Sequence, residues 1–266
     1  FVALALASAP HFLPPPPSSA TVHLFAVGHG QACLLQLDDG ESVLIDCGSQ
    51  QHPSLPARKV ERTLRARRID WLIVTHGDHD HTSAIEDLLR RVPVRAAILP
   101  ASMRDSEVAA ALRTSGSVLT FMAPSEHLWP HPRVSVAAPR PDSETDNDRS
   151  LWVRAEVSGW TLLASGDAEE AGVAAALREG IAGHADVLVL PHHGRENSAA
   201  PALLRAVGPR LCLASNQHGD GASALGRLAL SNGIETFATA ISGDLLVTGK
   251  GDPKATAVPE VAPLRR

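Results

Sequence analysis

The chain has 266 residues, 44% of them hydrophobic, which is enough for one large or two small domains with an ample core. Its formal net charge of -5 argues against electrostatic attraction of nucleic acid by the whole molecule, so a polyanion would need a local basic patch or bound metal ions. Tyrosine is absent and phenylalanine is scarce, which argues against a base-stacking platform. The three cysteines lack Cys-x-x-Cys spacing, which argues against a structural zinc knuckle.

Residues 1–20 are expected to form an apolar terminus and a proline-rich linker. The chain begins with Phe1 rather than Met, and we expect it to be part of a longer one. Its first ten residues fall far short of the roughly 20 apolar residues that a membrane span needs. They fit the end of a transmembrane helix, the remnant of a signal peptide or an unstructured terminus. The polyproline run after them predicts a stiff spacer.

Three strands are predicted at the start of the folded body, at residues 21–25, 33–37 and 42–45. Cys33 and Cys47 fall on neighbouring predicted strands, so a disulfide is an option in an oxidising compartment, but buried free thiols are expected. His29 lies in a glycine-rich turn between the first two strands. It is interpreted as a turn residue, with a ligand role as the alternative.

Residues 57–68 follow a helical pattern with a basic face. That face contains Arg58, Lys59, Arg62, Arg65, Arg67 and Arg68. A solvated helix face is the simplest interpretation, and a nucleic-acid contact is the sharper alternative.

The next segment carries the strongest chemical signal in the chain. An apolar strand at residues 69–74 is followed by His76-Gly77-Asp78-His79-Asp80-His81 and then by a helical pattern at residues 82–92. Loops that leave a strand and enter a helix usually carry the chemistry of open α/β sheets. A hydrolytic metal centre needs neutral imidazoles or anionic carboxylates and one position left for water. This loop could serve two adjacent metal ions, and a solvated polar loop is the alternative.

The remaining predicted elements alternate between strands and helices. They are strands at 95–99, 117–122, 134–138, 151–157, 160–165, 185–190, 211–215, 234–239 and 244–247, and helices at 107–112 and 222–231. Asp167 follows a buried strand and a glycine, so its carboxylate could bridge two metals, although it could also be an ordinary helix cap. His192 and His193 follow another apolar strand. Residues 251–266 are expected to be a flexible tail.

The spacing His76-x-Asp78-x-Asp80-His81 resembles the His-x-His-x-Asp-His signature of the metallo-β-lactamase fold superfamily, with Asp78 in place of the second histidine. This variant looks like the C-terminal domain of ComEC-type competence DNA-uptake proteins. The resemblance covers residues 21–250 and implies an α/β fold, the αββα four-layer sandwich of a hydrolase domain.

The resemblance also implies roles for particular residues. The metal ligands would be His76, Asp78, Asp80, His81, Asp167 and His192. Asp80 would accept a proton, and His193 would donate one or bind substrate. Arg195 is a plausible phosphate clamp, Asn147 and Ser150 match a substrate-binding Asn-x-x-Ser segment, and Asp46 would support the metal loop without binding metal. His218 is a weaker match to a later histidine of the family.

The implied function is hydrolysis of DNA, in particular the strand that is not imported, by water activated on one or two divalent ions. The oxygen-rich ligand set makes manganese as plausible as zinc. Single-stranded DNA and a membrane channel domain of the same longer chain would be the partners, on the periplasmic face of the inner membrane, with no stable oligomer. Two alternatives are a stand-alone hydrolase of a small ester or lactam and a degenerate domain that only binds DNA or a partner.

Overall fold

The structure, a computed structural model, describes residues 19–64, 68–217 and 223–258. Two β-sheets pack face to face, and helices cover the outer face of each sheet. This arrangement is the four-layer αββα sandwich, so the predicted fold class is confirmed. In the described part of the chain, no helix is both long and apolar enough to span a membrane.

The first sheet holds eight strands and is mixed. Their bounds are Thr21–Leu24 (β1), Cys33–Gln36 (β2), Ser42–Ile45 (β3), Ile69–Ile73 (β4), Val94–Pro100 (β5), Val118–Met122 (β6), Asp244–Thr248 (β14) and Lys254–Val258 (β15). They lie in the order β15-β14-β1-β2-β3-β4-β5-β6. Pairing is antiparallel from β15 to β3 and parallel from β3 to β6.

The second sheet holds seven strands. Their bounds are His127–His131 (β7), Val134–Ala137 (β8), Trp152–Val157 (β9), Trp160–Ala164 (β10), Val187–Val189 (β11), Leu211–Ala214 (β12) and Glu235–Ala238 (β13). They lie in the order β13-β12-β11-β10-β9-β8-β7, parallel from β10 to β13 and antiparallel on the other side.

The helices follow the strands as short connections. They are Leu55–Leu64 (α1), His79–Thr82 (α2), Ile85–Leu89 (α3), Glu107–Thr114 (α4), Glu170–Arg178 (α5), Ala200–Val207 (α6), Ala224–Ser231 (α7) and Thr239–Ser242 (α8). Single 3-10 turns occupy Ala101–Met103 and Pro191–Gly194.

The apolar run of β3 shows how the sequence specifies these layers. Val43 and Ile45 point into the core between the two sheets, whereas Leu44 points into the core under the helices of the first sheet. Successive side chains of a strand point to opposite faces of the sheet. A strand that is buried on both faces therefore has a continuous run of apolar residues in the sequence, rather than an alternation of apolar and polar ones. A third apolar cluster fills the space under the helices of the second sheet.

Parallel pairing places the candidate site. The carboxyl ends of β3 and β4 lie side by side, which brings Asp46 next to the loop that runs from Thr75 to His81. The ends of β10, β11 and β12 likewise bring Asp167, His193 and Ser215 together. The two edges face each other, so the site forms where both sheets end.

Several predicted boundaries need correction. The tail was expected to be flexible from residue 251, but residues 254–258 form β15 and pair with β14, so the prediction is wrong for this stretch. The helix after the metal loop begins earlier, at His79, and is broken between α2 and α3. The basic helix ends at Leu64. The predictions for residues 1–18, Arg65, Arg67 and His218 lie outside the described residues, and all three cysteines are free and buried.

Gly48 is required for the close approach of two loops at the site. A Cβ on Gly48 would lie 2.4 Å from the carbonyl carbon of Asp80 and 2.5 Å from the His81 nitrogen. We expect Gly48→Ala to displace the metal loop and to lower divalent-metal affinity by about tenfold or more, measured by calorimetric titration. Gly183→Ala is the control, because its φ is not positive and a Cβ there would make only ordinary contacts at 3.7 Å. Equal affinities of the two variants would show that the contact is unimportant.

Candidate metal centre

Four side chains from distant parts of the chain converge at the edge where the sheets end. One ligand atom from each of Asp80, His81, Asp167 and His193 lies within 4.8 Å of the other three, and all four residues are buried. Asp80 and His81 come from the short helix α2, Asp167 follows β10, and His193 follows β11. Two carboxylates and two imidazoles at this spacing match the donor types that bind divalent transition metals.

The distances within this cluster of four (Asp80, His81, Asp167 and His193) show that the ligand atoms point at a common centre. His81 Nε2 lies 3.0 Å from Asp167 Oδ1, and His193 Nε2 lies 3.1 Å from Asp80 Oδ2 and 3.4 Å from Asp167 Oδ2. The two imidazole Nε2 atoms are only 3.4 Å apart. A cation placed among them would satisfy all four groups at once.

Two buried polar atoms support the same conclusion. His76 Nε2 and Asp167 Oδ1 are buried and have no hydrogen-bond partner among the described residues, although the latter is close to His81 Nε2. Buried polar atoms are nearly always satisfied, and an exception calls for an explanation such as an ion. The residues present therefore fit a divalent metal.

Asp46 holds the metal loop from behind. Its carboxylate accepts hydrogen bonds from the Thr75 backbone nitrogen (2.7 Å) and hydroxyl (2.8 Å) and from the Gln31 amide (3.1 Å). It also lies 2.8 Å from His81 Nδ1. A proton donated from Nδ1 to Asp46 leaves Nε2, which faces the centre of the cluster, as the ring nitrogen available to a metal, and carboxylates commonly orient metal-binding histidines in this way. This geometry agrees with the supporting role expected for Asp46.

We expect Asp46→Asn to weaken divalent-metal binding by about 10–100-fold without removing a ligand, because the substitution loses the acceptor that orients His81. Calorimetric titration measures the affinity, and thermal unfolding of the metal-free variant separates this effect from loss of the fold. An unchanged affinity in a folded variant would contradict the orienting role.

His193, rather than His192, belongs to the cluster of four. Both residues lie in a 3-10 turn with left-handed backbone angles, φ 48° and 55° respectively. This turn directs His193 inward, where its Nδ1 lies 2.8 Å from the carbonyl oxygen of Ser215. His192 instead lies with Nδ1 3.3 Å from Glu169 and Nε2 3.8 Å from Asp167. His192 stays a predicted ligand, and we propose His193 as the terminal ligand on the basis of its place in the cluster of four.

His76 and Asp78 lie at the edge of the cluster of four. His76 Nε2 is 3.6 Å from Asp78 Oδ2, and the Asp78 side chain is 50% exposed. The ring centroid of His76 is 4.2 Å from that of His81. The cluster of four forms without these two side chains, and we propose that they contribute to a second, more open ion site.

The predicted substrate-binding residues lie in different environments. Ser150 is buried, and its hydroxyl accepts a hydrogen bond from the Asp167 backbone nitrogen (3.2 Å). The Asn147 amide donates to Glu169 (3.1 Å). Arg195 is exposed and lines a cavity of about 670 Å³ together with His192. Ser150 thus positions Asp167, whereas Arg195 is open to a ligand.

His29 and Gln31 lie at the site, although the sequence pattern favoured a turn role for His29 and indicated no role for Gln31. His29 Nε2 lies 3.3 Å from Asp80 Oδ2, and its ring centroid lies 4.6 Å from that of His193. Gln31 donates to Asp46. Their signal in the sequence is the glycine-rich turn before β2, because Gly30 allows the turn to approach the Asp80 carbonyl oxygen.

The sequence profile of the Metallo-beta-lactamase superfamily matches residues 26–159, just over half of the chain. The chain belongs to this superfamily. It is 26% identical over 222 residues to ComE operon protein 3 of Bacillus subtilis (strain 168), covering 74% of this chain and 28% of that protein. It is 27% identical over 259 residues to competence protein ComA of Neisseria gonorrhoeae, covering 90% and 34%. The chain therefore spans about a third of the length of these curated relatives.

Solved structures agree on the metallo-β-lactamase fold. Zn(2+)-bound PqqB from Methylobacterium extorquens superposes with a TM-score of 0.60 at 14% identity, covering 86% of this chain and all of that one (100%). Human tRNase Z, short form, gives 0.54 at 15% identity, with 82% and 95% coverage. At such identities the similarity establishes the fold alone. The superfamily implies divalent-metal binding, and the cluster of four supplies a matching set of donors.

The histidines and aspartates of the cluster of four shift one another's pKa values strongly. Burial alone would lower the pKa of His193, but the charge of Asp167 and hydrogen bonds to Asp167 and Asp80 raise it to about 9. The pKa of His81 is raised well above its usual value because Asp167 and Asp46 outweigh burial. Burial would raise the pKa of Asp167 and Asp80, yet the two histidines lower both. Without metal, protons therefore take the place of the cation.

This coupling predicts the pH dependence of metal binding. The raised pKa of His193 means that the metal-free site holds a proton below about pH 9, and this proton must leave when the nitrogen becomes a ligand. Metal affinity should therefore rise with pH, by up to about tenfold per unit for each proton released. Manganese or zinc titrations between about pH 6.5 and 8.5 in buffers of different ionisation enthalpy would measure both quantities. A flat affinity without proton release would contradict the assignment.

Proposed function

We propose that this chain is a metal-dependent phosphodiesterase domain that hydrolyses DNA, preferably single-stranded, during DNA uptake. The observation that carries the proposal is the cluster of four with Asp80 and His29 on its more exposed side: the Asp80 and His29 side chains are 12% and 24% exposed, whereas that of His81 is fully buried. The names of the competence relatives supply the biological setting.

The ion's part in this chemistry is general to the fold. When bound, a divalent metal supplies Lewis acidity, which lowers the pKa of water and neutralises charge on phosphoryl oxygen. Asp80 Oδ2 lies beside His29 on the more exposed side of the cluster of four and is suited to accept the proton of the attacking water. Arg195 lies beyond it, with its charge close enough to contribute to lowering the pKa of His29 and His192. Its guanidinium can hold a phosphate oxygen bidentately.

The donor set bears on the metal. Two carboxylates with two imidazoles, and an Asp at position 78 where many relatives use histidine, form a site richer in oxygen than an all-histidine one. Oxygen ligands favour manganese relative to zinc, whereas imidazoles suit zinc. Either ion, one or two per chain, is compatible with this proposal.

The setting of the domain extends the proposal. Because the chain spans about a third of its competence relatives, its partner would be a membrane channel domain in the same longer protein, on the periplasmic face of the inner membrane. The domain would then cut the strand that is not imported, as a monomeric unit. These points rest on the relatives' names and on the family resemblance.

A substrate panel tests the proposed activity. The metal-stripped chain is given manganese or zinc and offered labelled single-stranded DNA, duplex DNA, a chromogenic ester and a lactam. Metal-dependent cleavage of single-stranded DNA alone is the expected result. Cleavage of the ester or lactam with inert DNA would indicate a small-molecule hydrolase. Metal binding or DNA binding without any turnover would indicate a degenerate binding domain.

A further inference from the structure

A second cavity lies beside the metal centre, on the side of α1. It has a volume of about 730 Å³, within the range of about 300–1,000 Å³ that is usual for ligand pockets. Its described lining comes from the turn after β1, the loop after β3, helix α1, the loop after β12, the segment from α8 to the start of β14, and the end of β15. We name it the α1-side cavity.

One turn separates the α1-side cavity from the metal centre. Gly28 lines the cavity, and the next residue, His29, contacts Asp80 of the cluster of four. The side chain of Gln51, also in the cavity wall, accepts a hydrogen bond from the His29 backbone nitrogen (3.1 Å). The α1-side cavity is therefore adjacent to the metal centre, and His29 lies between the two.

The charges of the α1-side cavity cancel each other. Lys59 Nζ lies 2.6 Å from Asp244 Oδ1, and both side chains are mostly buried. The same carboxylate oxygen accepts a hydrogen bond from the Ala26 backbone nitrogen (2.7 Å). Because Lys59 is paired with Asp244, the described lining of the cavity offers no unpaired lysine or arginine for a phosphate. It is suited to an uncharged group of the substrate.

The cavity beside His192 has the opposite character. Its described lining contains five carboxylates and two guanidinium groups, from Asp142, Asp148, Glu169, Glu170, Glu196, Arg178 and Arg195. Excess negative charge repels a polyanionic strand and would confine a phosphate contact to the region around Arg195. Of the two cavities, the α1-side cavity is thus the better place for a base next to the cleaved phosphate.

The side chains at the mouth of the α1-side cavity match a nucleobase. The Gln51 amide donates to the Gln217 side-chain oxygen (3.3 Å), and both groups are exposed. Amides of this kind can exchange such a contact for the hydrogen-bonding edge of a base. His52 is exposed at the same mouth, and an imidazole provides a surface on which a base can stack.

We propose that the α1-side cavity is the subsite for a single nucleobase of the strand whose phosphate lies at the metal centre, with His52 and Gln217 as its contacts. This inference deepens the proposed nuclease function and rests on it. It adds the prediction that the enzyme binds the base adjacent to the scissile phosphate, and not only the backbone.

Nucleotide binding tests the subsite independently of cleavage. The 266-residue chain with manganese is titrated with thymidine or deoxyadenosine 5′-monophosphate and with deoxyribose 5-phosphate, which lacks the base. We expect the nucleotides to bind about tenfold more tightly than the sugar phosphate. This ratio should fall to near one in the double variant His52→Ala/Gln217→Ala. It should persist in His127→Ala, which removes an exposed histidine of β7.

The outcomes separate the two proposals. Equal binding of nucleotide and sugar phosphate by the unaltered chain, or the same ratio in the double variant as in the unaltered chain, would overturn the subsite. If the base preference is present and disappears in the double variant but DNA is never cleaved, the subsite stands and the nuclease proposal fails. Thermal unfolding midpoints of all variants confirm that each compared protein is folded.

Discussion

Asp167→Asn is expected to lose tight metal binding and to reduce hydrolysis by about a thousandfold or more. Asp167 is 3% exposed, and its two oxygens face His81 Nε2 and His193 Nε2. The asparagine keeps the shape of the side chain but removes its charge and turns one acceptor into a donor. Because it leaves His81 and His193 without their shared anion, it removes the electrostatic basis for a cation at this position.

Asp186→Asn is the matched control for this substitution. Asp186 precedes β11 at the end opposite to the metal centre, where it accepts a hydrogen bond from the Thr161 nitrogen. We expect this variant to keep the metal content of the unaltered chain, measured after desalting. Full metal content in Asp167→Asn would contradict the account.

The paired variants His193→Gln and His192→Gln should differ strongly. His193 is buried with Nε2 directed at Asp80 and Asp167, so its loss should weaken metal binding by about 100-fold or more. His192 is partly exposed and contacts Glu169. Its loss should leave metal affinity within about threefold of the original value and act on substrate affinity instead.

The two histidines therefore serve as controls for each other, because they share a turn, a residue type and a substitution. Titration with manganese measures the metal affinity of each variant, and KM for single-stranded DNA measures the substrate effect. The reverse ranking, with His192→Gln losing metal, would restore the sequence-based assignment of the terminal ligand.

The choice between His192 and His193 shows where sequence reasoning fails. The pair was located correctly at the end of a buried strand, because the apolar run before it is unmistakable. Which ring points inward depends on the backbone angles of the turn. Both residues have positive φ angles, which non-glycine residues seldom adopt. Nothing in the residue types alone specifies that geometry.

Contacts between residues far apart in the sequence could not be predicted from sequence patterns either. Lys59 and Asp244 form a close ion pair although 185 positions separate them, so Lys59 on the predicted basic helix is already neutralised. The strand β15 was also missed, since it has only five residues and is mostly exposed, and it joins the sheet edge through backbone hydrogen bonds, which any residue but proline can donate. By contrast, the fold and the metal loop were predictable because buried strands and ligand spacing leave direct patterns.

Diffraction from crystals of the manganese- or zinc-loaded chain, recorded at the absorption edge of the metal, would locate the ion directly. We expect an anomalous peak among the side chains of the cluster of four, in contact with Asp80, His81, Asp167 and His193. A peak held by His192 in place of His193, or metal bound only elsewhere on the surface, would contradict this expectation.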